Sequence, residues 1–304
     1  MTETRGHLRG ANLLLLLGLG AIWGTAFMFI TLALRHDGPS FSPILFAALR
    51  FDIAGLVILA IALTRKSALR PATKRQWAAI GIAATLNVCM YHALLFIGQP
   101  YVDESVAAII VALNPILTTV ASRIFLSDER LGAAGLVGLL SGLVGVGVLT
   151  YATSDVFTGA LVGMLFSLGA VISWSTGSTL VRRMKHGMDV FSFTAWQMLV
   201  GAVLLHVGAF FFDPGHGFAH FDAPGVTSLL YLAIVSSAVG FLIYFTLLER
   251  VGPIRSNLVS NVAPIFATLA GIVVLGTPFH WLFLVAFVFI AGGFFLVARP
   301  TVAK

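Results

Sequence analysis

The stretch FAALRFDIAGLVILAIAL, residues 46–63, is a run of 18 residues in which Arg50 and Asp52 are the two charged side chains. A helix of this length can cross the ~30 Å hydrocarbon core of a membrane. Each charge costs about 2.5 to 3.5 kcal/mol at the bilayer centre. The run therefore predicts a membrane-spanning helix, and its two charges need partners or a function that offsets their cost.

Similar apolar runs recur along the whole chain. Of the 304 residues, 59% are hydrophobic and 10% are charged, against about 25% charged in a soluble domain. The runs are continuous and lack the alternating pattern of a β-barrel strand, so we predict an all-α membrane protein with ten transmembrane helices. The ten predicted spans are residues 11–34, 42–63, 77–97, 105–126, 131–151, 159–181, 191–212, 225–248, 254–275 and 280–298.

The basic residues predict the orientation of these spans. With ten spans, every Lys and Arg except Arg35 and the membrane-embedded Arg50 falls on one side. The positive-inside rule makes that side the cytoplasm, with both termini there. The net charge of +6 is thus a topology signal, and we expect no nucleic-acid partner. We expect a multi-pass protein of the cell membrane, inner or plasma.

The two halves of the chain resemble each other. LNPILTTVA at 113 matches VAPIFATLA at 262, and IWGT at 22 matches SWST at 173. ALRFDIAG at 48 matches AWQMLVGA at 195, and LSGLVGVGVL at 140 matches IAGGFFLVA at 290, so all four offsets lie between 147 and 151 residues. A shared offset indicates an internal repeat. We predict two five-helix repeats, residues 1–153 and 154–304, and because five is odd the second is inverted relative to the first.

Several segments resemble the drug/metabolite transporter superfamily, specifically the ten-helix exporters with two EamA domains. They are GAIWGTAFMF at 20–29, AALRF at 47–51, ALLFIG at 93–98, NPILTTVASRIFLSDE at 114–129 and LLERVGPIRSNLVSNVAPIFATLAG at 247–271. The resemblance covers essentially the whole chain. It implies a secondary transporter with a central cavity between the repeats and no bound cofactor. One departure is that SDE, ending at Glu129, has GTP, ending at Pro278, as its counterpart.

Arg50 and Asp52 are the first candidate site residues. Two residues along a helix correspond to about 200°, so the two side chains point to opposite faces and cannot pair with each other. Arg50 either faces the cavity and attracts an anionic group such as a carboxylate, or ties its helix to neighbouring groups. Its counterpart in the other repeat is the uncharged Gln197. Asp52 is either a proton-coupling residue or a fastener between helices.

Asn257 and Asn261 are four residues apart and share one face of the ninth span, just before Pro264. Asn114 and Pro115 hold the related place in the fourth span. Proline interrupts helical hydrogen bonding, and interrupted helices at corresponding positions of two repeats indicate a transporter site. We therefore predict that the asparagines bind substrate and that the two prolines are hinges. The alternative is simple interhelical hydrogen bonding.

Four aromatic residues complete the predicted substrate site: Trp23 and Trp174 at matching positions, Tyr91 and Tyr244. They either form walls for a substrate or simply pack. His92 beside Tyr91 is a second candidate for proton coupling, since histidine titrates near neutral pH. The alternative for His92 is a structural hydrogen bond.

Other chemistry receives little support. HGFAHFD, residues 216–222, has ligand-like spacing but lacks a visible further shell, so we expect no metal. GLVGVG at 142–147 lies inside a span with no strand before it, so we expect no dinucleotide cofactor. Residues of catalytic type are scattered, which makes an intramembrane enzyme the weaker hypothesis.

The leading hypothesis is therefore a transporter. We expect a secondary transporter that exports small metabolites such as amino acids by alternating access through a central cavity. The alternative is a facilitative uptake carrier or a channel for small solutes. Expected partners are a small-molecule substrate, the lipid bilayer and protons as a coupling ion, in a monomer or weak dimer.

Overall fold

The computed structural model describes residues 8, 10–34, 43–65, 69–98, 110–126, 132–153, 161–212, 223–275 and 280–298. All regular structure in these ranges is helical, which confirms the all-α prediction, and each predicted span contains a helix. We number the helices to match the spans. They are α1 (Ala11–Leu34), α2 (Pro43–Thr64), α3 (Lys74–Ala83, Ala84–Met90 and Tyr91–Gly98 in succession), α4 (Asn114–Phe125), α5 (Ala133–Thr153), α6 (Leu161–Met184), α7 (Val190–Phe212), α8 (Ala223–Leu230, Tyr231–Val239 and Gly240–Val251 in succession), α9 (Pro253–Ser256 and Val259–Leu275) and α10 (Leu282–Ala298).

Six of these helices, α1, α2, α3, α6, α7 and α8, are long and apolar enough to cross a membrane by length and composition. Shorter apolar helices occupy the fourth, fifth and tenth spans. Large apolar side chains on their outer faces are exposed, among them Phe210, Val273 and Leu284. Such a surface is unfavourable in water and favourable against lipid tails, which fits a multi-pass membrane protein.

Helix packing follows the predicted repeat. α5 packs on α10, and α2 packs on α7. α1 packs against α9 and α8, while α6 packs against α4 and α3. If each helix of the first half is exchanged with its counterpart in the second half (α1 with α6, α2 with α7, and so on), the same set of helix pairs results. This is the relation expected between two repeats that share a pseudo-two-fold axis.

The α5–α10 pair is held close by glycines. A Cβ atom added at Gly138 would lie 2.7 Å from the carbonyl oxygen of Gly293, and one at Gly145 would lie 2.8 Å from that of Ala286. Neither distance leaves room for a side chain. Small residues at a membrane helix interface permit this approach of two backbones and the dispersion contacts that come with it.

Two helices contain π-helical segments that sequence periodicity does not predict: Ala84–Met90 in α3 and Tyr231–Val239 in α8. Their starting points are separated by nearly the repeat offset. A π-helical turn interrupts the regular spacing of side chains and frequently occurs at functional sites. The segment in α8 carries two hydroxyl side chains to the centre of the bundle, as described below.

Side chain to backbone hydrogen bonds close one end of the bundle, where the α2–α3, α6–α7 and α8–α9 connections meet. The Gln76 side chain donates to the carbonyl oxygen of His186 at 3.3 Å, and the Arg182 guanidinium donates to that of Glu249. We call this end the basic end, because many of the Lys and Arg residues flank its connections.

Candidate functional site

The predicted aromatic residues meet at the centre of the bundle. The ring centroids of Trp23 in α1 and Trp174 in α6 are 5.7 Å apart and nearly perpendicular. Tyr244 of α8 lies 5.6 Å from Trp23 and 5.0 Å from Trp174, and Tyr91 of α3 lies 5.0 Å from Trp174. Phe241, which the sequence analysis did not single out, lies 5.7 Å from Trp174. Four helices from both halves thus share one aromatic cluster.

Asn257 is the centre of a hydrogen-bond network beside this cluster. It lies at the turn between the two segments of α9 and is fully buried. Its Oδ1 accepts from the Trp174 indole and the Tyr244 hydroxyl, both at 2.9 Å, and its Nδ2 donates to the Thr118 hydroxyl at 2.8 Å. One side chain therefore connects α9 to α4, α6 and α8.

Asn114 extends the network along α4. Its Oδ1 accepts from the hydroxyls of Ser175 at 2.8 Å and Thr118 at 3.2 Å. Asn114 is buried like Asn257. The two predicted asparagines are thus linked through Thr118. We call the set Asn114, Thr118, Trp174, Tyr244 and Asn257 the asparagine network.

Several side chains of this region are not among the predicted site residues. Ser178 shares a 2.6 Å hydrogen bond with the Tyr244 hydroxyl. The Asn87 side chain donates to the carbonyl oxygen of Trp174 at 3.0 Å and to Ser178 at 3.1 Å. A signal for Ser178 was available, because SWSTGS at 173–178 places several hydroxyls in an apolar span. Asn87 gives no comparable signal, because it is a single amide and the direction of its side chain depends on the π-helical segment of α3.

Asn261 lies apart from the asparagine network. It is buried at the α5–α9 contact, where its side-chain amide faces the backbone of Gly142. Its Oδ1 has no hydrogen-bond partner among the described residues. The predicted pairing of Asn257 and Asn261 on one substrate-binding face stays a prediction, since the two amides have different neighbours.

Arg50 is buried in the half of α2 that is farther from the basic end. Its Nε donates to the Ser237 hydroxyl at 2.5 Å and one terminal nitrogen donates to the Ser236 hydroxyl at 3.2 Å, both in the π-helical segment of α8. Tyr91 lies within electrostatic range. Among the described residues no carboxylate forms an ion pair with Arg50. The guanidinium therefore has hydroxyl groups as its hydrogen-bond partners, and Arg50 is only 6% exposed.

Trp23 connects Arg50 to the aromatic cluster. Its indole N–H donates to the carbonyl oxygen of Ser236 at 3.1 Å, while its ring contacts Trp174 and Tyr244. A cation and several aromatic faces therefore border one region. This arrangement can bind a ligand that combines an anionic group with an apolar body.

Asp52 has a partner that the sequence analysis did not identify. Its Oδ2 lies 2.7 Å from Nε2 of His206 in α7. Asp52 and Arg50 point in different directions, as expected, because Arg50 forms hydrogen bonds with α8 and Asp52 with α7. A signal was available here as well: His206 is the one ionisable side chain between residues 191 and 212, and the repeat relates that span to the span of Asp52.

His92 is buried near the aromatic cluster. Its Nδ1 lies 2.8 Å from the carbonyl oxygen of Val88, and its ring contacts those of Phe51 and Tyr91. These contacts fit the structural alternative for His92. Its candidacy for proton coupling stays a prediction.

The two predicted hinge prolines occupy different positions in their helices. Pro115 lies in the first turn of α4, directly after a turn at Leu113. Pro264 lies inside the long segment of α9, whereas the interruption of that helix falls at Asn257 and Leu258. Proline is tolerated in a first helical turn but removes a hydrogen bond from a helix interior. The two prolines are therefore not structurally equivalent.

Metal-ligand side chains are scattered in the structure. Across the described ranges, no group of three or more His, Cys, Asp or Glu side chains lies together. The HGFAHFD segment at 216–222 lies within residues 213–222, which are outside the described ranges.

Comparison with known proteins identifies the family. The sequence profile of the EamA-like transporter family matches residues 11–151 and again residues 161–299. The chain belongs to the EamA-like transporter family. The two matches cover nearly the whole chain, and each overlaps five of the predicted spans.

Relatives of this EamA-like protein are also named as transporters. The uncharacterized transporter YvbV of Bacillus subtilis (strain 168) is 31% identical over 236 residues, 77% of this chain and 74% of that protein. The uncharacterized inner membrane transporter YedA of Escherichia coli (strain K12) is 26% identical over 298 residues, 95% and 93% of the two chains. A solved crystal structure matches with a TM-score of 0.79 at 23% identity, over 95% of this chain and 96% of that one, and shows the shared fold.

These findings confirm the resemblance to the drug/metabolite transporters and establish a membrane transporter of small molecules at the level of the family. The family and its relatives are named as transporters and not as enzymes.

Proposed function

We propose that this EamA-like protein is a secondary transporter that exports small metabolites such as amino acids by alternating access. The two repeats, residues 1–153 and 154–304, are proposed to move against each other around a central cavity, with both termini in the cytoplasm and the chain in the inner or plasma membrane. The protein is proposed to act as a monomer or weak dimer. In this topology the basic end faces the cytoplasm.

The observation that carries the proposal is the environment of Arg50. A charged side chain in the middle of a membrane costs about 2.5 to 3.5 kcal/mol, and its hydroxyl partners do not neutralise it. A carboxylate would neutralise the guanidinium and add charge-assisted hydrogen bonds. The aromatic cluster beside it would accept an apolar side chain. An amino acid with an apolar side chain combines these two groups.

The asparagine network supports the alternating-access part of the proposal. Tyr244 lies seven residues before the end of α8 at Val251, or about 10 Å from the basic end at 1.5 Å per residue. Asn257 and Tyr244 are fully buried, so a substrate cannot pass between them in this state. We propose that the network closes the route to the cytoplasm, and that its hydrogen bonds must break when the cavity opens inward.

The test is transport by purified protein in liposomes. Wild-type protein should exchange L-phenylalanine and L-leucine, and it should discriminate against L-phenylalaninol, which lacks the carboxylate. Arg50→Gln, which copies Gln197 of the other repeat, should lower L-phenylalanine exchange at least tenfold, the equivalent of one charge-assisted hydrogen bond of about 1.5 to 3 kcal/mol. Arg65→Gln is a matched control, because Arg65 is an exposed arginine that lies over the ring of Phe191.

Two outcomes would overturn the proposal. Wild-type protein that moves none of a broad panel of amino acids and metabolites would exclude the proposed substrate class. Equal transport by wild-type and Arg50→Gln protein would exclude the carboxylate contact. Direction is tested in cells: overexpression lowers the intracellular level of an exported substrate, whereas an uptake carrier raises it, and large unsaturable currents would indicate a channel.

A further inference from the structure

The Asp52–His206 pair is an unusual feature of the outer surface of the bundle. The two side chains, 2.7 Å apart, are 35% and 39% exposed. Their neighbours on the same helix faces are exposed apolar residues: Leu56 lies four residues after Asp52, and Val203 and Phe210 lie three residues before and four residues after His206. Residues three or four apart share a helix face. The pair therefore lies in an apolar band that faces lipid.

Depth makes this location costly for an unbalanced charge. Asp52 lies nine residues after the start of α2 at Pro43, or about 14 Å into the helix. With one shared proton the pair is electrically neutral, whichever atom holds the proton. With no proton it carries one negative charge, and with two protons one positive charge. Each net charge is costly in hydrocarbon, whereas the neutral pair avoids that cost.

From this geometry we infer that Asp52 and His206 form a proton-binding site, and that this site provides the proton coupling of the transport cycle. The coupling role rests on the proposed function. The proton lies between Oδ2 of Asp52 and Nε2 of His206, and it is exchanged with water only when the site is exposed to water. His92, the other predicted candidate, has a different environment inside the bundle.

The location between the repeats supplies the link to transport. α2 belongs to the first predicted repeat and α7 to the second, and the two helices pack along their length. A protonated His206 donates a charge-assisted hydrogen bond to the Asp52 carboxylate, and such bonds are about twice as strong as neutral ones. Loss of the proton weakens this link between α2 and α7. Protonation therefore changes the relative stability of states in which the repeats are arranged differently.

Several other ionisable groups on neighbouring helices are engaged elsewhere. Arg50 on α2 donates to two hydroxyls of α8 on the opposite face of its helix. Tyr231 on α8 shares a 2.6 Å hydrogen bond with the hydroxyl of Thr25. Tyr91 contacts Trp174, and His92 points Nδ1 at the carbonyl oxygen of Val88. Among the described residues, the pair has no second ion-pair partner.

Direct titration tests the site without a substrate. Histidine ring NMR signals are followed against pH for the full chain in lipid nanodiscs, using protein labelled with ¹⁵N at histidine. His206→Gln should remove one histidine signal, and Asp52→Asn should move the Nε2 resonance of that signal and change its dependence on pH, because the carboxylate charge beside the ring is removed. His280→Gln is the matched control: His280 is exposed and its ring accepts from a backbone N–H at the start of α10. An Asp52→Asn protein whose His206 signal titrates as in wild type would overturn the inference.

Transport then tests coupling. For each variant, L-phenylalanine accumulation driven by a pH gradient is divided by L-phenylalanine exchange without a gradient. This ratio should fall at least tenfold in Asp52→Asn and His206→Gln, remain at the wild-type value in His280→Gln, and recover in the double variant Asp52→His with His206→Asp. An unchanged ratio in the two single variants would assign the pair a purely structural role. If wild-type protein moves no amino acid, the proposed function fails while the NMR titration still decides the proton site.

Discussion

Asn257 offers a quantitative test of the asparagine network, because the same helix contains a matched control. Asn257→Ala removes three side-chain hydrogen bonds, to Trp174, Tyr244 and Thr118. Asn261→Ala removes an amide of the same size whose Oδ1 has no partner among the described residues. Both residues are buried. The difference between the two variants therefore isolates the hydrogen bonds from the loss of packing volume.

The expected difference follows from the bonds and their partners. Interhelical hydrogen bonds in membranes contribute about 0.6 kcal/mol each, so three contribute about 2 kcal/mol. The Trp174 indole N–H has Asn257 as its partner and would be left unsatisfied in a buried site, which costs a further ~1 to 3 kcal/mol. Tyr244 and Thr118 keep other partners. Asn257→Ala should thus reduce the free energy of unfolding by about 3 to 5 kcal/mol more than Asn261→Ala.

The free energy of unfolding is measured by titrating the purified protein with sodium dodecyl sulfate and following helicity by circular dichroism. Helicity is preferable to tryptophan fluorescence, since Trp174 is itself part of the network. Equal destabilisation of the two variants, within about 0.5 kcal/mol, would show that the hydrogen bonds of Asn257 contribute no net stability.

Three further predictions concern packing, the proposed hinge and pH. Gly24→Ala should destabilise the protein by about 1 to 3 kcal/mol, because a Cβ atom there would lie 2.8 Å from Cβ of Phe266. Gly18→Ala should have no such effect, because a Cβ atom there would have nothing within 4 Å. Denaturant titration compares the stability of the two variants. Pro264→Ala restores a backbone donor to α9 and should raise stability while lowering transport turnover, and unchanged turnover would exclude the hinge. Burial, and to a smaller extent the charge of Arg75, lower the pKa of His186 from 6.5, so its neutral form is favoured in the folded protein. The free energy of unfolding should therefore fall as the pH drops below 6.5. This fall should be smaller in His186→Gln.

Much of the candidate site could be predicted from the repeat. Trp23 and Trp174 were singled out because they occupy matching positions, and they do lie in contact. Asn114 and Asn257 were chosen as polar residues in interrupted helices, and both belong to the asparagine network. Such residues are costly in apolar spans, so their presence alone predicts that they have specific partners.

Other features depend on directions that periodicity does not supply. Ser236 and Ser237 face Arg50 because a π-helical segment alters the spacing of side chains along α8. Asn257 lies at the interruption of α9, whereas Asn261 lies in the helix that follows it, so the two amides have different neighbours. Regular helix geometry places residues four apart on one face, and the turn at Asn257 breaks that regularity.

The sequence alone was enough to predict the all-α membrane class, ten spans and two related halves. These properties follow from hydrophobicity and from a repeated offset, both of which are local or one-dimensional quantities. The polar pairings could be read only from the packed helices: Arg50 meets the hydroxyls of α8, and Asp52 meets His206 across 154 residues of chain. In a membrane each buried polar group must find a partner, but packing between helices determines which one it finds.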